Sequence, residues 1–132
     1  MPRDPVYLNE SDVKRRVKKY LDRHHWFWWM TPANGFGTTG VSDFTALRGG
    51  VFLAIETKFG TNKLTAMQRA YLHSVRAEDG FAFVVTEQTI EALRVWLEAF
   101  DRAVLAASTK TQPAPEDGAA MLDAIAAMTK DL

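Results

Sequence analysis

Gly49 and Gly50 stand side by side between two β-prone segments, VSDFTAL (41–47) and VFLAIETK (51–58). Both tolerate positive φ without a side-chain clash, so the pair reads as a two-residue hairpin turn. That turn fixes a register. Arg48 faces Val51, and counting outward along both strands brings Asp43 opposite Glu56. Opposed residues share a sheet face, with Cβ atoms about 4.5–5.5 Å apart. Lys58, two residues past Glu56, shares that face. One face therefore gathers two carboxylates and a lysine.

Like charges placed directly opposite each other destabilise a sheet, and the run leading into Glu56 is otherwise apolar. Something must compensate them. Lys58 can neutralise one carboxylate, whereas a divalent cation would satisfy both. Mg²⁺ takes oxygen ligands and is commonly held by one or two carboxylates together with waters and substrate phosphates. With a lysine beside the attacking water, that set suits metal-assisted hydrolysis of phosphodiesters. Glu10 lies three residues before Val13 and seven before Val17, on the inward stripe of the first helix. It fits two uses, a third site carboxylate or a helix-start acid favoured by the macrodipole.

The remaining pattern surrounds this hairpin with helices. Residues 9–25 predict an amphipathic helix with Val13, Val17, Tyr20, Leu21 and His24 inward and Asn9 or Ser11 as its cap. WFWWM (26–30) predicts a first strand, its aromatic side chains used for packing. Thr65-Ala-Met-Gln68 has the form of a capping box, opening a helix to about Ala77. Gly80 ends it, FAFVV (81–85) is a further strand, and Thr86 is expected to cap a helix to about Ala107. That helix carries Leu93, Trp96, Leu97, Phe100 and Val104 on one face. The predicted order is α-β-β-β-α-β-α, an α/β domain with a mixed sheet of about four strands flanked by helices. It is expected over residues 1–107. Residues 108–132 read as a linker, STKTQPAP, and a short amphipathic tail with Met121, Leu122, Ile125 and Met128, which either folds back or pairs with another copy.

The fragments Glu10, Gly40-Val-Ser-Asp43-Phe, Ile55-Glu-Thr-Lys58 and Lys63-Leu-Thr-Ala-Met-Gln68, followed by Gly80 and a strand, span about two-thirds of the chain. In order, spacing and context they resemble the PD-(D/E)XK nuclease superfamily, most closely its VRR-NUC (virus-type replication-repair nuclease) branch. The resemblance implies a restriction-endonuclease-like core. It also implies metal-binding roles for Asp43, Glu56 and the Thr57 backbone carbonyl, with Glu10 as a further candidate. Lys58 would orient or activate water, and Gln68 would join the catalytic set. The activity implied is Mg²⁺- or Mn²⁺-dependent endonucleolytic hydrolysis of DNA, duplex, branched or flap, in replication, repair or recombination. A homodimer is implied as well, because branch cutting requires two incisions. Ser42 stands where this family usually has proline, which bears on the stiffness of the loop before Asp43.

Charge distribution fits a nucleic-acid partner. The chain of 132 residues has 16 Lys+Arg and 16 Asp+Glu, yet residues 1–76 hold 12 of the bases and 6 of the acids. The remainder is correspondingly acidic and is expected to face away from DNA. Lys14, Arg15, Lys18, Lys19, Lys63 and Arg69 are the candidate phosphate contacts. Gly35-Phe-Gly37-Thr-Thr-Gly40 matches GxGxxG, but it leads into a strand rather than a helix, so it reads as a loop beside the site. No cysteine is present, which excludes disulfides and thiolate chemistry. No apolar run approaches the ~18 residues of a membrane span, and the polar first residues do not form a signal peptide. An intracellular, cytoplasmic protein is expected. Two other readings remain at this level: a nuclease-like module that binds nucleic acid without cutting, and a small α/β protein whose Lys58 only pairs with Glu56.

Overall fold

The computed structural model describes residues 4–32, 40–109 and 114–132. The GxGxxG segment up to position 39 lies outside them, as does the middle of the STKTQPAP stretch. Helix α1 (Glu10–Arg23) is followed by strands β1 (Phe27–Met30), β2 (Phe44–Arg48) and β3 (Val51–Thr57), helix α2 (Ala66–Ala77), strand β4 (Phe81–Val85), and helices α3 (Ile90–Thr109) and α4 (Pro115–Thr129). The four strands form one sheet in the order β1-β2-β3-β4. The first two pairings are antiparallel and the third is parallel, with α2 as the crossover. The α/β architecture and mixed four-stranded sheet expected from the sequence are those observed.

The Gly49-Gly50 turn sets the register as its chemistry requires. Both glycines have positive φ, and Arg48 pairs with Val51 and Phe44 with Ile55. Because side chains alternate, Trp28, Met30, Phe44, Ala46, Leu53, Ile55, Phe81 and Phe83 point to one face. There they meet Val13, Val17 and Leu21 of α1, Leu93, Trp96 and Leu97 of α3, and Ala124 and Met128 of α4. Trp96 is fully buried among Trp26, Phe81, Phe83 and Phe100. A side chain of that size contributes about 3 kcal/mol or more by leaving water. On the opposite face α2 covers β3 and β4 through Leu72 packed with Ala54, Ala82 and Val84.

Several boundaries differ from the sequence reading, each for a local reason. Asn9 caps α1, accepting from the Asp12 N–H at 3.0 Å, so Ser11 is not the cap. The helix stops at Arg23, and His25 takes φ 64° to turn the chain into β1. Thr86 does not cap α3. It builds a turn, with its N–H donating to Thr89 Oγ1 and its own Oγ1 accepting from the Gln88 N–H, and the helix begins four residues later. In WFWWM Trp26, Trp28 and Met30 join the core, because the pleat of β1 turns Phe27 and Trp29 outward on the half of the sheet that α2 leaves bare. The last helix folds back on α3 and β4; Met128 is buried, whereas Leu122 points to solvent. No helix among the described residues is long and apolar enough to cross a membrane.

Gly40 is held where no other residue fits. Its φ is 84°, and a Cβ built on it would lie 2.6 Å from the carbonyl carbon and oxygen of Met67. Gly40→Ala is therefore expected to cost roughly 2–4 kcal/mol and to loosen the packing between the approach to Asp43 and the first turn of α2. Urea unfolding of the variant checks this.

Candidate active site

The site forms where β2 begins and β3 ends, on the sheet face that carries α2. Extending the observed register by one pair places Asp43 beside Glu56, and the Asp43 N–H donates to Glu56 Oε2 at 3.2 Å. Asp43 Oδ2 accepts twice from Thr57, from its N–H at 2.9 Å and its hydroxyl at 2.6 Å. Glu56 is 3% exposed. Lys58 Nζ stands 4.0 Å from Glu56 Oε1, at the limit of an ion pair. Burial, reinforced by the neighbouring Asp43 carboxylate, pushes Glu56 up to about 8, and Lys58 only partly opposes this. Without a cation, burial and the Asp43 charge thus oppose ionisation of Glu56.

Gln68 unites two roles in one amide. Its oxygen accepts from the Thr65 N–H at 2.9 Å, while its amide nitrogen donates to Glu56 Oε1 at 3.2 Å. The Thr65 N–H can only donate, which fixes which end of the amide is the oxygen. Thr65 Oγ1 completes the capping box by accepting from the Gln68 backbone N–H. The same side chain thus starts α2 and orients the buried glutamate.

Glu10 reaches the site through Lys14. Lys14 Nζ lies 3.1 Å from Glu10 Oε2 and 3.9 Å from Asp43 Oδ1. Burial opposes its charge, but the Glu10 hydrogen bond and the Asp43, Glu10 and Glu56 charges outweigh that, so its pKa stands above the ordinary lysine value. Lys14 is thereby set apart from the other basic residues of α1 and engaged with the carboxylates. No three His, Asp or Glu side chains converge among the described residues, so Glu10 does not complete a cluster with Asp43 and Glu56. Arg15 pairs with Asp12 at 2.8 Å and remains largely exposed. Lys19, Lys63 and Arg69 are exposed and Lys18 is half-buried.

The donor set fits a hard divalent cation. Two adjacent carboxylates, one of them buried, are each anchored by neutral donors, and the nearby lysines do not cancel both charges. Two carboxylates with waters suffice for Mg²⁺. Nothing here resembles a zinc site, which would need imidazole or thiolate ligands.

Three contributors escape a reading of the strand pattern. The Thr57 side chain should point away from Glu56, yet it reaches Asp43 because Asp43 precedes β2 and is free of the pleat. Lys14 looks like one more base in a charged run until α1 is docked. Ser42 is fully buried; its hydroxyl donates to the Phe44 carbonyl at 3.0 Å, and its own carbonyl accepts from Thr31 Oγ1 at 2.7 Å. These bonds tether the loop where a proline would otherwise stiffen it.

No protein-family model matches the sequence, and no curated protein matches it. Among solved structures the chain is similar to Hjc of Archaeoglobus fulgidus, a Holliday junction resolvase from an archaeal hyperthermophile. The identity is 21%, the alignment covers 58% of this chain and 66% of that one, and the TM-score is 0.47. The chain thus spans just under two thirds of that resolvase, and the site described above stands on its own geometry.

Proposed function

We propose that this chain is a divalent-metal-dependent nuclease of the VRR-NUC type that hydrolyses DNA phosphodiesters, acting as a structure-specific endonuclease in replication, repair or recombination. The observation that carries the reading is the juxtaposition of Asp43 with buried Glu56 at the open end of the sheet, only partly neutralised by Lys58. In this reading Asp43, Glu56 and the Thr57 carbonyl hold Mg²⁺ or Mn²⁺. The bound ion supplies Lewis-acid polarisation of the phosphate and lowers the pKa of a water.

The protein's own groups do the positioning. Thr57 locks Asp43 through two hydrogen bonds, and Gln68 holds one oxygen of Glu56. Lys58 lies where it can orient the attacking water and offset charge developing on the phosphate, an effect strengthened by the low exposure of its side chain, 14%. Lys14 balances Asp43 and Glu10 rather than meeting the backbone of DNA. Lys18, Lys19, Lys63, Arg69 and Arg15 remain for phosphates.

A panel of single-stranded, duplex, flap and four-way branched DNA, incubated with Mg²⁺, Mn²⁺ or EDTA, tests this. Products are expected only with a divalent ion, and more from branched than from continuous duplex DNA. Cutting in EDTA, or binding without products on every substrate, would overturn the proposal; the second result would identify a non-catalytic binding module.

A further inference from the structure

A recess of about 360 Å³ opens directly beside Lys58. Its lining includes Lys63 from the loop after β3, Arg69 from α2 and Lys130 at the end of α4, and among the described residues the only carboxylate lining it is Asp131. Its exposed lining is mostly polar, with Asn62, Thr86, Gln88 and Thr89 beside the cations, while Val84 and Met128 are themselves buried. The α4 wall is pinned in place: Arg69 Nε donates to the Asp131 carbonyl at 3.4 Å, and His73 Nε2 lies 2.9 Å from the Leu132 carbonyl. The last turn of the otherwise acidic second part of the chain thus brings Lys130 to the edge of this recess.

Four cations beside amide and hydroxyl groups match one chemical class well, a phosphorylated sugar with a base whose hydrogen-bonding edge is free. Lys58 belongs both to this recess and to the carboxylate pair, so an occupant would be continuous with the strand being cut. We propose that the recess takes one unpaired nucleotide next to the scissile phosphate. Its phosphate lies among Lys58, Lys63, Arg69 and Lys130, and its sugar and base meet Asn62, Thr86, Gln88 and Thr89. A paired nucleotide keeps its base inside the stack and can offer only its outer backbone. Continuous duplex DNA therefore touches the rim, while a strand that is open at the cut enters. This assignment rests on the nuclease reading above and adds to it the local state of the substrate.

Binding without metal tests it. Affinity of a labelled 12-nucleotide single strand and of the matching blunt duplex is measured by anisotropy in EDTA over a salt series. Lys130→Glu is expected to weaken single-strand binding by about tenfold and to flatten its salt dependence by roughly 0.7 in log–log slope for each phosphate no longer neutralised. Duplex affinity should fall clearly less, by about threefold, since its backbone meets Lys130 only at the rim. Lys63→Ala should weaken the single strand by about threefold to fivefold. Lys130 is exposed, so an unchanged melting temperature checks the fold of that variant. Equal losses on both DNAs, or no loss on either, would overturn the proposal. A wild-type protein that shows this discrimination but cuts nothing with Mg²⁺ or Mn²⁺ overturns the nuclease reading alone. One that cuts, yet loses the same affinity for both DNAs on Lys130→Glu, overturns the recess alone.

Discussion

Glu56→Gln is expected to lower metal-dependent cleavage by about 10³-fold or more while leaving the fold intact. The amide keeps the shape of the carboxyl and can still accept a hydrogen bond in place of Glu56, from either the Asp43 N–H or Gln68. The other of those two bonds is broken, at a cost of about 1 kcal/mol. What disappears entirely is the second negative charge opposite Asp43, which is what draws a divalent ion to this place. Lys58→Ala should also abolish cleavage, but by a different route, because it leaves the Asp43–Glu56 pair intact and removes its cation. Single-turnover cleavage of a branched substrate with saturating Mg²⁺ reads both variants. Wild-type rates in Glu56→Gln would remove Glu56 from the reaction centre.

The metal-free protein is expected to lose stability as pH rises from about 4.5 to about 8, and Glu56→Gln should remove that loss. Folding raises the Glu56 pKa from its ordinary 4.5 to about 8, through burial first and the Asp43 charge second. Between those values the folded chain keeps a proton that the unfolded chain has released. The stabilisation from protonated Glu56 is thus complete below about 4.5 and is gone above about 8. Since one pKa unit corresponds to 1.36 kcal/mol, the loss amounts to at most about 5 kcal/mol. The comparison is the difference in melting temperature between wild type and Glu56→Gln, in EDTA, at pH 5 and pH 9. Carboxylates remote from Glu56 cancel in that difference. Mg²⁺ should restore the wild type at pH 9 and do little for Glu56→Gln, because a ligand that binds only the folded state stabilises it. A difference that does not change with pH would mean that Glu56 ionises as freely in the fold as in the open chain.

Much of this site is legible before any fold is known. A two-glycine turn has few conformations, so the residues flanking it have one register, and that register alone predicts the meeting of Asp43 with Glu56. Thr65 and Gln68 declare a helix start because each satisfies a donor of the other. Local geometry decides such features, and local geometry is written in a few consecutive residues. Legibility ends where a residue has two competing uses. Thr86 has the chemistry of a cap but is spent on a turn, and WFWWM is apolar throughout although the pleat buries only alternate rings.

The sequence by itself thus determined the order of elements, the hairpin register and the carboxylate pair, because each depends on backbone torsions and hydrogen bonds over short separations. Only the tertiary structure decided that Gln68 reaches Glu56 while capping α2, that Lys14 turns from the basic face to Glu10 and Asp43, and that the end of α4 carries Lys130 to the recess at Lys58. Those interactions join residues on separately formed elements. Their positions follow from how the helices pack against the two faces of the sheet, where the burial of Trp96, Leu72 and Met128 fixes geometry that no stretch of chain encodes alone.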